Sequence, residues 1–513
     1  MGNGDRNGGI TLRAKLGYGT IGLSTMSNGM LSAWQVFFLT TFAGLDVGTV
    51  GLIVSGGQIV SALSAPVWGY VSDRMYATAL GRRLGRRKAT LLLTVPGLFA
   101  FYLVQFFPGL PVWGYAAANL LYWATNCGFT TVQYVLPAEM STWSGERAQL
   151  VGIGQISNAV GTLALSVLNT WLFAVWGGDR WETYFRMALM YGLFMVAILA
   201  VGMFAIPEHP YDEATEFSDA DAAHGDRLSL CRRVALVLWN YLTVFSVREF
   251  RAYLGMYLSA VMFRSVRGVT LTYFLVFVLG LSVSEVSLSS GLTIGLGIAL
   301  VSFFMWLNAR IGSTRAYQVG SVEAIAVFLL MFALTRVAGG LSHGMVIVLW
   351  IALSLALNFG ITGVVNACDF AYSFIPDVDE ILTGKRREGQ YASVNATVGN
   401  LFVAVENVLI TGALSAMGFV SGVARQPPIV MGTLTAIFCF LPIAFIVLGL
   451  FFSSRVRLND ESRAALSAEI ERLRAGGSKA DVDPGTKALI ERLTGYTYER
   501  CWGNNRIMSF THK

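Results

Sequence analysis

The stretch SDRMYATALGRRLGRRKA, residues 72–89, decides how this chain is to be read. It sets Arg74, Arg82, Arg83, Arg86, Arg87 and Lys88 between two long apolar runs, whereas the next gap, PGLPV at 108–112, carries no charge. Cations return in every second gap: Arg147, then Arg310 and Arg315, then Lys385, Arg386 and Arg387. A helix needs about 20 apolar residues to cross hydrocarbon, and the cytoplasmic connections hold the excess of Lys and Arg. The pattern predicts an all-α integral membrane protein, multi-pass in the cell membrane, with both termini cytoplasmic.

Composition agrees. Of 513 residues, 54% are hydrophobic and 13% charged, which excludes an ordinary soluble globule. The net charge of +6 reflects the positive-inside pattern rather than a nucleic-acid surface. Five cysteines, three of them (Cys127, Cys368, Cys439) inside apolar runs, argue against a disulfide framework. With four histidines and no metal-ligand spacing or nucleophile motif, neither an enzyme nor a metal or cofactor site is expected. Met1–Lys15 is polar and Gly-rich, so no cleavable signal is expected.

Twelve spans are expected, at about 16–43, 48–71, 90–107, 112–138, 150–176, 186–206, 252–280, 285–307, 316–334, 345–374, 391–418 and 427–452. They divide the chain into an N-terminal six-helix bundle (1–206), a cytoplasmic inter-bundle linker (207–251), a C-terminal six-helix bundle (252–452) and a cytoplasmic tail (453–513). The linker opens acidic and then turns amphipathic from Leu228 to Phe245, which predicts a surface helix. The tail has helical periodicity at Ser462–Arg474 and again near Pro484–Leu493, and reads as a solvated appendage.

The halves look duplicated. Pro137-Ala138-Glu139, Gly145-Glu146-Arg147 and Asn158-Ala159-Val160-Gly161 are echoed by Pro376-Asp377, Gly384-Lys385-Arg386-Arg387-Glu388-Gly389 and Asn395-Ala396-Thr397-Val398-Gly399. Two six-span repeats imply a pseudo-two-fold axis along the membrane normal, with a site between them near the midplane.

Polar side chains in hydrocarbon cost several kcal/mol unless paired or hydrated. Stripes at helical spacing therefore mark faces turned from lipid. Ser24, Asn28, Ser32 and Gln35 form one stripe; Asn119, Asn126, Thr130 and Gln133, with Trp123 between them, form another. The fifth span adds Gln155, Asn158, Thr162, Ser166 and Asn169, the tenth Asn358, Thr362, Asn366 and Asp369, the eleventh Asn400, Glu406, Asn407 and Thr411. Gln58, Ser61 and Trp68 lie on the second, and Ser289, Ser290 and Thr293 on the eighth. Spans 3, 6, 9 and 12 carry few such residues and should face lipid, with Glu323 of the ninth snorkelling to the interface. Amides also glue helices together, so each stripe has a structural alternative. Arg264 and Arg267 sit near the middle of the seventh span, where each must face a cavity or pair with an acid such as Asp369 or Glu406. Such a pair could lock the bundle, bind substrate or handle a proton.

Three segments carry a family resemblance: Lys15-Leu16-Gly17-Tyr18-Gly19, Ala65-Pro66-Val67-Trp68-Gly69-Tyr70-Val71-Ser72-Asp73-Arg74, and Gly384–Gly389. They resemble the glycoside–pentoside–hexuronide:cation symporters, a branch of the major facilitator superfamily. Asp73 followed by the Arg82–Arg87 cluster is similar to that superfamily's loop between spans two and three. The resemblance covers about residues 13–452. It implies the major facilitator fold, with twelve helices in two pseudo-symmetric bundles. It also implies a cation site of two second-span carboxylates, but those places here are Ser61 and Ala65, preceded by Gln58. The family's sugar-binding acids fall on Met26 and Phe129, its fifth-span Arg on Gln155 and its eleventh-span Lys on Asn400. The coupling chemistry therefore does not carry over.

The expected function is secondary active transport of a small polar solute, a sugar or glycoside, by alternating access, proton-coupled or uncoupled rather than sodium-coupled. The candidate substrate residues are Asn28, Gln35, Gln58, Trp123, Asn126, Gln133, Gln155, Asn158, Arg264, Asn366 and Asn400. Amides donate to and accept from hydroxyls, and aromatic rings stack on pyranose faces. The coupling candidates are Asp369, Glu406 and Arg264. Asp73, Arg82, Arg83, Arg86, Arg87, Asp377, Asp379, Arg386 and Arg387 are expected to form a cytoplasmic gate. Expected partners are the solute, a proton and the bilayer, with a monomeric carrier. The alternatives are a carrier of an amphiphile, lipid or drug, and a non-transporting solute sensor.

Overall fold

The computed structural model of the chain describes residues 10–24, 26–73, 75–140, 144–206, 239, 242–372, 374–384, 388–421, 423, 425–458 and 460–503. The first expected span is carried by two helices, α1 (Leu12–Leu23) and α2 (Met26–Thr41). Then follow α3 (Val47–Asp73), the short α4 (Ala79–Leu84), α5 (Arg86–Val104), α6 (Val112–Met140), α7 (Ser144–Trp176) and α8 (Trp181–Ala205). The second half holds α9 (Arg248–Tyr273), continued by a π-helical stretch Phe274–Val278, then α10 (Val283–Ile311), α11 (Ser313–Val337) and α12 (His343–Tyr372). A short α13 (Ile375–Thr383) leads to α14 (Glu388–Ala416) and α15 (Pro428–Ser453). Two further helices, α16 (Asp460–Arg474) and α17 (Pro484–Thr494), lie in the tail.

Local chemistry sets the ends. The α10 start is a capping box, in which the Ser282 hydroxyl accepts from the Glu285 N–H and the Glu285 carboxylate accepts from the Ser282 N–H. Gly312, at φ 81°, turns the chain directly from α10 into α11, a backbone position that a side chain would strain. Pro428 stands in the first turn of α15, where its missing N–H costs nothing.

Nine helical stretches among the described residues are long and apolar enough to cross a membrane. The twelve-span expectation adds the α1–α2 pair, α6 and α10; the latter two have 29 residues each, ample at about 1.5 Å per residue.

In the N-terminal half α6 packs on α3 and α5, and α1 on α7 and α8; in the C-terminal half α12 packs on α10 and α11, and α15 on α9 and α11. The halves meet along two seams, α3 with α14 and α7 with α10. Counted as spans, these pairs are second with eleventh and fifth with eighth. A two-fold axis that exchanges the halves exchanges the seams, as the duplicated sequence leads one to expect.

Three expectations need correction or placement. Glu323 does not snorkel: its carboxylate inserts against Gly360, in a groove of α12 so narrow that a Cβ on Gly360 would meet it at 2.4 Å. The tail is not a loose appendage. Leu466, Ile470, Leu473, Ile490 and Leu493 are buried, and α16 and α17 pack on α13, whose own residues are nearly all buried. Arg474 binds Glu380, and the Trp502 and Gly503 N–H groups donate to the Ile381 and Leu382 carbonyls at 2.8 and 3.1 Å. Sequence periodicity could show that the tail forms helices but not that a partner for them exists on α13. The amphipathic stretch from Leu228 lies almost wholly outside the described residues.

Candidate functional site

Among the described residues, the seams close tightly at the end away from the arginine-rich connections. On α3, a Cβ added to Gly51 would sit 1.7 Å from the Thr411 hydroxyl of α14, and on α10 one added to Gly291 would meet Ser166 of α7 at 3.0 Å. Hydrogen bonds span the halves at the same level. Ser415 donates to Asp46 (2.9 Å), Ser421 to the Leu45 carbonyl (2.6 Å) and Ser284 to the Thr170 carbonyl (3.1 Å). Tyr273 pairs with Thr40 at 2.8 Å and also donates to the Val36 carbonyl. All these contacts lie at the helix ends opposite the arginine-rich connections. Towards the other end, Asn158, Arg264 and Asp369 are exposed.

The polar stripes resolve into two kinds. In the N-terminal half, Gln35 is buried and donates to Gln105 and to Asn119 (2.9 Å), while Asn119 donates to the Ile53 carbonyl (2.6 Å). Gln35 therefore ties α2 to α5 and α6 instead of facing a cavity, a correction to its expected role. Asn28 donates to Asn126 (3.2 Å) and accepts from Tyr122. Trp123 is half-buried against Gly57, and its Nε1 has no hydrogen-bond partner. Gln58 and Gln133 are half-buried, and the backbone of Gln133 accepts from Tyr18 (3.1 Å). The side chain of Gln155 lies outside the described set.

In the C-terminal half, Arg264 of α9 and Asp369 of α12 are within electrostatic reach of one another, without forming a direct ion pair among the described residues. Asp369 also reaches Tyr253, which stacks on Tyr257 and packs against Tyr372. Asn366, one turn before Asp369 on α12, and Asn400 on α14 are half-buried; Asn366 donates to the Thr362 carbonyl of its own helix (3.0 Å). Glu406 is not the partner of Arg264. It is 2% exposed on α14, where Ser265 approaches without reaching hydrogen-bond geometry, and neither carboxylate oxygen has a partner. The Arg267 Nε is likewise buried and unbonded.

Sequence reasoning missed Tyr253, Tyr257 and Ser265. The first two were legible, because positions 253, 257 and 264 fall on one helical face; Ser265 was not, since only packing turns it towards Glu406. Where the family resemblance implied coupling acids, Ser61 is half-buried beside Cys127, Ala65 is exposed and Phe129 is buried.

Among the expected gate residues, Arg87 is buried and donates to Ser72, tying α5 to α3, while Arg82 and Arg83 are exposed and Arg86 is half-buried. Asp379 is buried and accepts from Tyr391 (2.8 Å), and Asp377 is half-buried on α13. The Asp73 side chain, Arg386 and Arg387 fall outside the described set. Cys127, Cys368, Cys439 and Cys501 are free thiols.

A family model described as MFS/sugar transport protein matches residues 16–460. The putative glycoside/cation symporter YagG of Escherichia coli is 23% identical over 495 residues, covering 93% of this chain and 99% of that one. The isoprimeverose transporter of Lactiplantibacillus pentosus is 28% identical over 184 residues, 34% of this chain and 35% of its own. Among solved structures, a D-xylose–proton symporter aligns with a TM-score of 0.55 at 14% identity, covering 88% of this chain and 98% of its own. A bacterial homologue of the human lysosomal transporter Spinster, inward-facing and unoccupied, aligns at 0.60 with 13% identity, covering 88% and 100%. These two likenesses concern the fold.

Proposed function

The chain belongs to the MFS/sugar transport protein family, a family of transporters and not of enzymes, and on that premise we propose that it carries a sugar or glycoside by alternating access. The observation that carries this reading is the pairing of tight seams at one end with a charged, aromatic cluster that runs from the middle of α9 towards the arginine-rich end: Arg264, Asp369 and the Tyr253–Tyr257–Tyr372 group. With the arginine-rich connections placed in the cytoplasm, this is an outward-closed state, and both termini lie inside. Asp369 and Arg264 accept from and donate to hydroxyls, and the tyrosine faces suit a pyranose ring.

Coupling, on this reading, uses a proton held at Glu406. A charged carboxylate buried without a partner costs several kcal/mol, so Glu406 is suited to enter the closed state with a proton and lose it when the α3–α14 seam opens. Sodium is disfavoured, because Ser61 and Ala65 leave no anionic oxygen where the resemblance would place the ion. The cytoplasmic gate remains assigned to the Arg82–Arg87 cluster with Asp73, and to Asp377 and Asp379 with Arg386 and Arg387. Uptake of radiolabelled pentosides and hexosides into proteoliposomes tests the whole: accumulation should require an inward proton gradient and ignore sodium. Accumulation driven by sodium alone would refute the coupling, and no uptake of any sugar would refute the substrate class.

One observation favours a second reading. A cavity of about 360 Å³ between α7 and α10 is lined by Leu163, Val167, Leu288, Leu292 and Leu355, with Thr170 its polar member. Such a surface suits the acyl or aryl part of an amphiphile. Competition of sugar uptake by alkyl glycosides, stronger with longer chains, would bring both readings to one site.

A further inference from the structure

A second cavity lies away from the transport path, at the arginine-rich end between α9 and α15. It measures about 540 Å³ and is lined by Arg248, Arg251, Arg455, Arg457, Glu249 and Phe452. Its charge is lopsided. Glu249 is the one carboxylate in the lining, and its Oε1 already accepts from the Arg457 and Leu458 N–H groups at 2.7 and 3.0 Å. That bond fixes the turn after α15 so that Arg455 and Arg457 face Arg248 and Arg251. Four guanidinium groups share the cavity, and Arg251 and Arg455 form no ion pair among the described residues.

The position identifies the kind of ligand. Arg455 lies 4.1 Å above the ring of Phe451, which is 49% exposed on the outer face of the last turn of α15. Phe452 fills the α9–α15 seam, its ring against Gly255. A cation stacked on a lipid-facing ring, at the end of a span, sits at the depth of the headgroup phosphates. Guanidinium groups bind phosphate oxygens through paired N–H donors, and basic pockets between spans hold anionic headgroups.

We propose that this cavity is a binding site for a phosphate-bearing anion, supplied by the headgroup of an anionic lipid such as phosphatidylglycerol. The proposal stands apart from the transported solute. Because the tail helix α17 packs on the same end of α9, with Gly495 beside the Arg248 side chain, a bound headgroup would brace the tail's seat as well as the α9–α15 seam.

Native mass spectrometry of the full-length protein, delipidated and titrated separately with phosphatidylglycerol, phosphatidylcholine and inorganic phosphate, tests this. The wild type should retain phosphatidylglycerol preferentially. Each of Arg251→Gln and Arg455→Gln should weaken retention about fivefold, as expected for one arginine near an anionic surface, and Lys in their place should restore part of it. The pair Arg310→Gln and Arg315→Gln is the control, since Arg310 also stacks on an exposed aromatic, Trp306, at 4.9 Å. Equal loss in the control pair would overturn the site, as would unchanged retention in the cavity variants. Displacement by inorganic phosphate at equal concentration would overturn the lipid assignment. An absence of adduct in the wild type would also overturn it. Thermal unfolding of each variant in detergent separates lost binding from lost folding.

Discussion

In the N-terminal half Gln35 donates to Gln105 and Asn119, Asn28 donates to Asn126, and Tyr191 donates to Asn169; in the C-terminal half Glu406, Arg267, Asn395 and Asn407 each keep a buried polar atom with no hydrogen-bond partner. The two sets of stripes have the same spacing and the same kinds of residue in the sequence. One set has become mostly internal mortar, although the Trp123 Nε1 and the Ser55 and Tyr102 hydroxyls there also lack partners. The other holds charge and unspent hydrogen-bonding capacity, which a fold keeps at a cost of about 1–3 kcal/mol per group unless something else uses it. The C-terminal half is therefore where chemistry should reside, and the N-terminal half is mainly the rigid wall against which it works.

The most severe way to break that contrast is at Arg264. Arg264→Met should reduce uptake by roughly tenfold or more, since about 1.4 kcal/mol of lost interaction already gives a factor of ten. Adding Asp369→Asn should recover uptake if the two groups merely neutralise one another, and should not if Arg264 meets substrate. Near-normal uptake in the single variant would remove the site from the C-terminal half.

Glu406→Gln sharpens the contrast rather than breaking it. Proton-driven accumulation should fall to the equilibrium level while exchange of labelled for unlabelled sugar continues, because a permanently neutral group still permits the loaded carrier to turn. Loss of exchange together with accumulation would make Glu406 structural.

A reverse test falls on Gln35. Gln35→Leu strands the Asn119 Oδ1 and the Gln105 Oε1 and should lower the unfolding free energy by about 1–3 kcal/mol, read as a reduced melting temperature, with transport per folded molecule unchanged. A variant that melts normally but transports poorly would return Gln35 to the substrate path. The smallest effect belongs to the tail. Its hydrogen bond from Arg472 holds the Glu469 carboxyl below the usual range, aided by the Tyr498 hydroxyl. A depressed carboxyl contributes stability above its unfolded value and loses it as pH falls through the folded one. Protease cleavage within 460–500 should accordingly accelerate on acidification while remaining steady at neutral pH and above. Cleavage independent of pH would release the tail from that pair.

The fold was legible because bilayer thickness constrains span length so strongly. Runs ended by Arg or Gly located the helices to within a few residues, and the duplicated Asn-Ala motifs anticipated the exchange of seams. What periodicity could not see was direction and partnership. A helical stripe says that Asn119 and Asn126 avoid lipid, but a neighbouring helix satisfies an amide as well as a sugar does, so Gln35 could not be assigned from spacing. The break after Leu23, the insertion of Glu323 against Gly360 and the seating of the tail on α13 depend on contacts between residues far apart in the chain. The four arginines of the cavity between α9 and α15 were visible singly, yet Arg248 and Arg457 lie on opposite sides of the C-terminal bundle's sequence and come together only in three dimensions.

The closed seams have a consequence in water activity. Ser284, Ser415, Ser421, Thr40 and Tyr273 now bond to partners across the halves, and opening must give each of them solvent instead. The seam side therefore holds more water when open than when closed, and its opening is linked to the chemical potential of water on that side. Solutes excluded from protein surfaces favour burial. A bulky polyol on that side that is not itself a substrate should thus slow the opening of these seams without competing for the solute site, so that the carrier responds to osmotic conditions through hydroxyl groups set apart from its cargo.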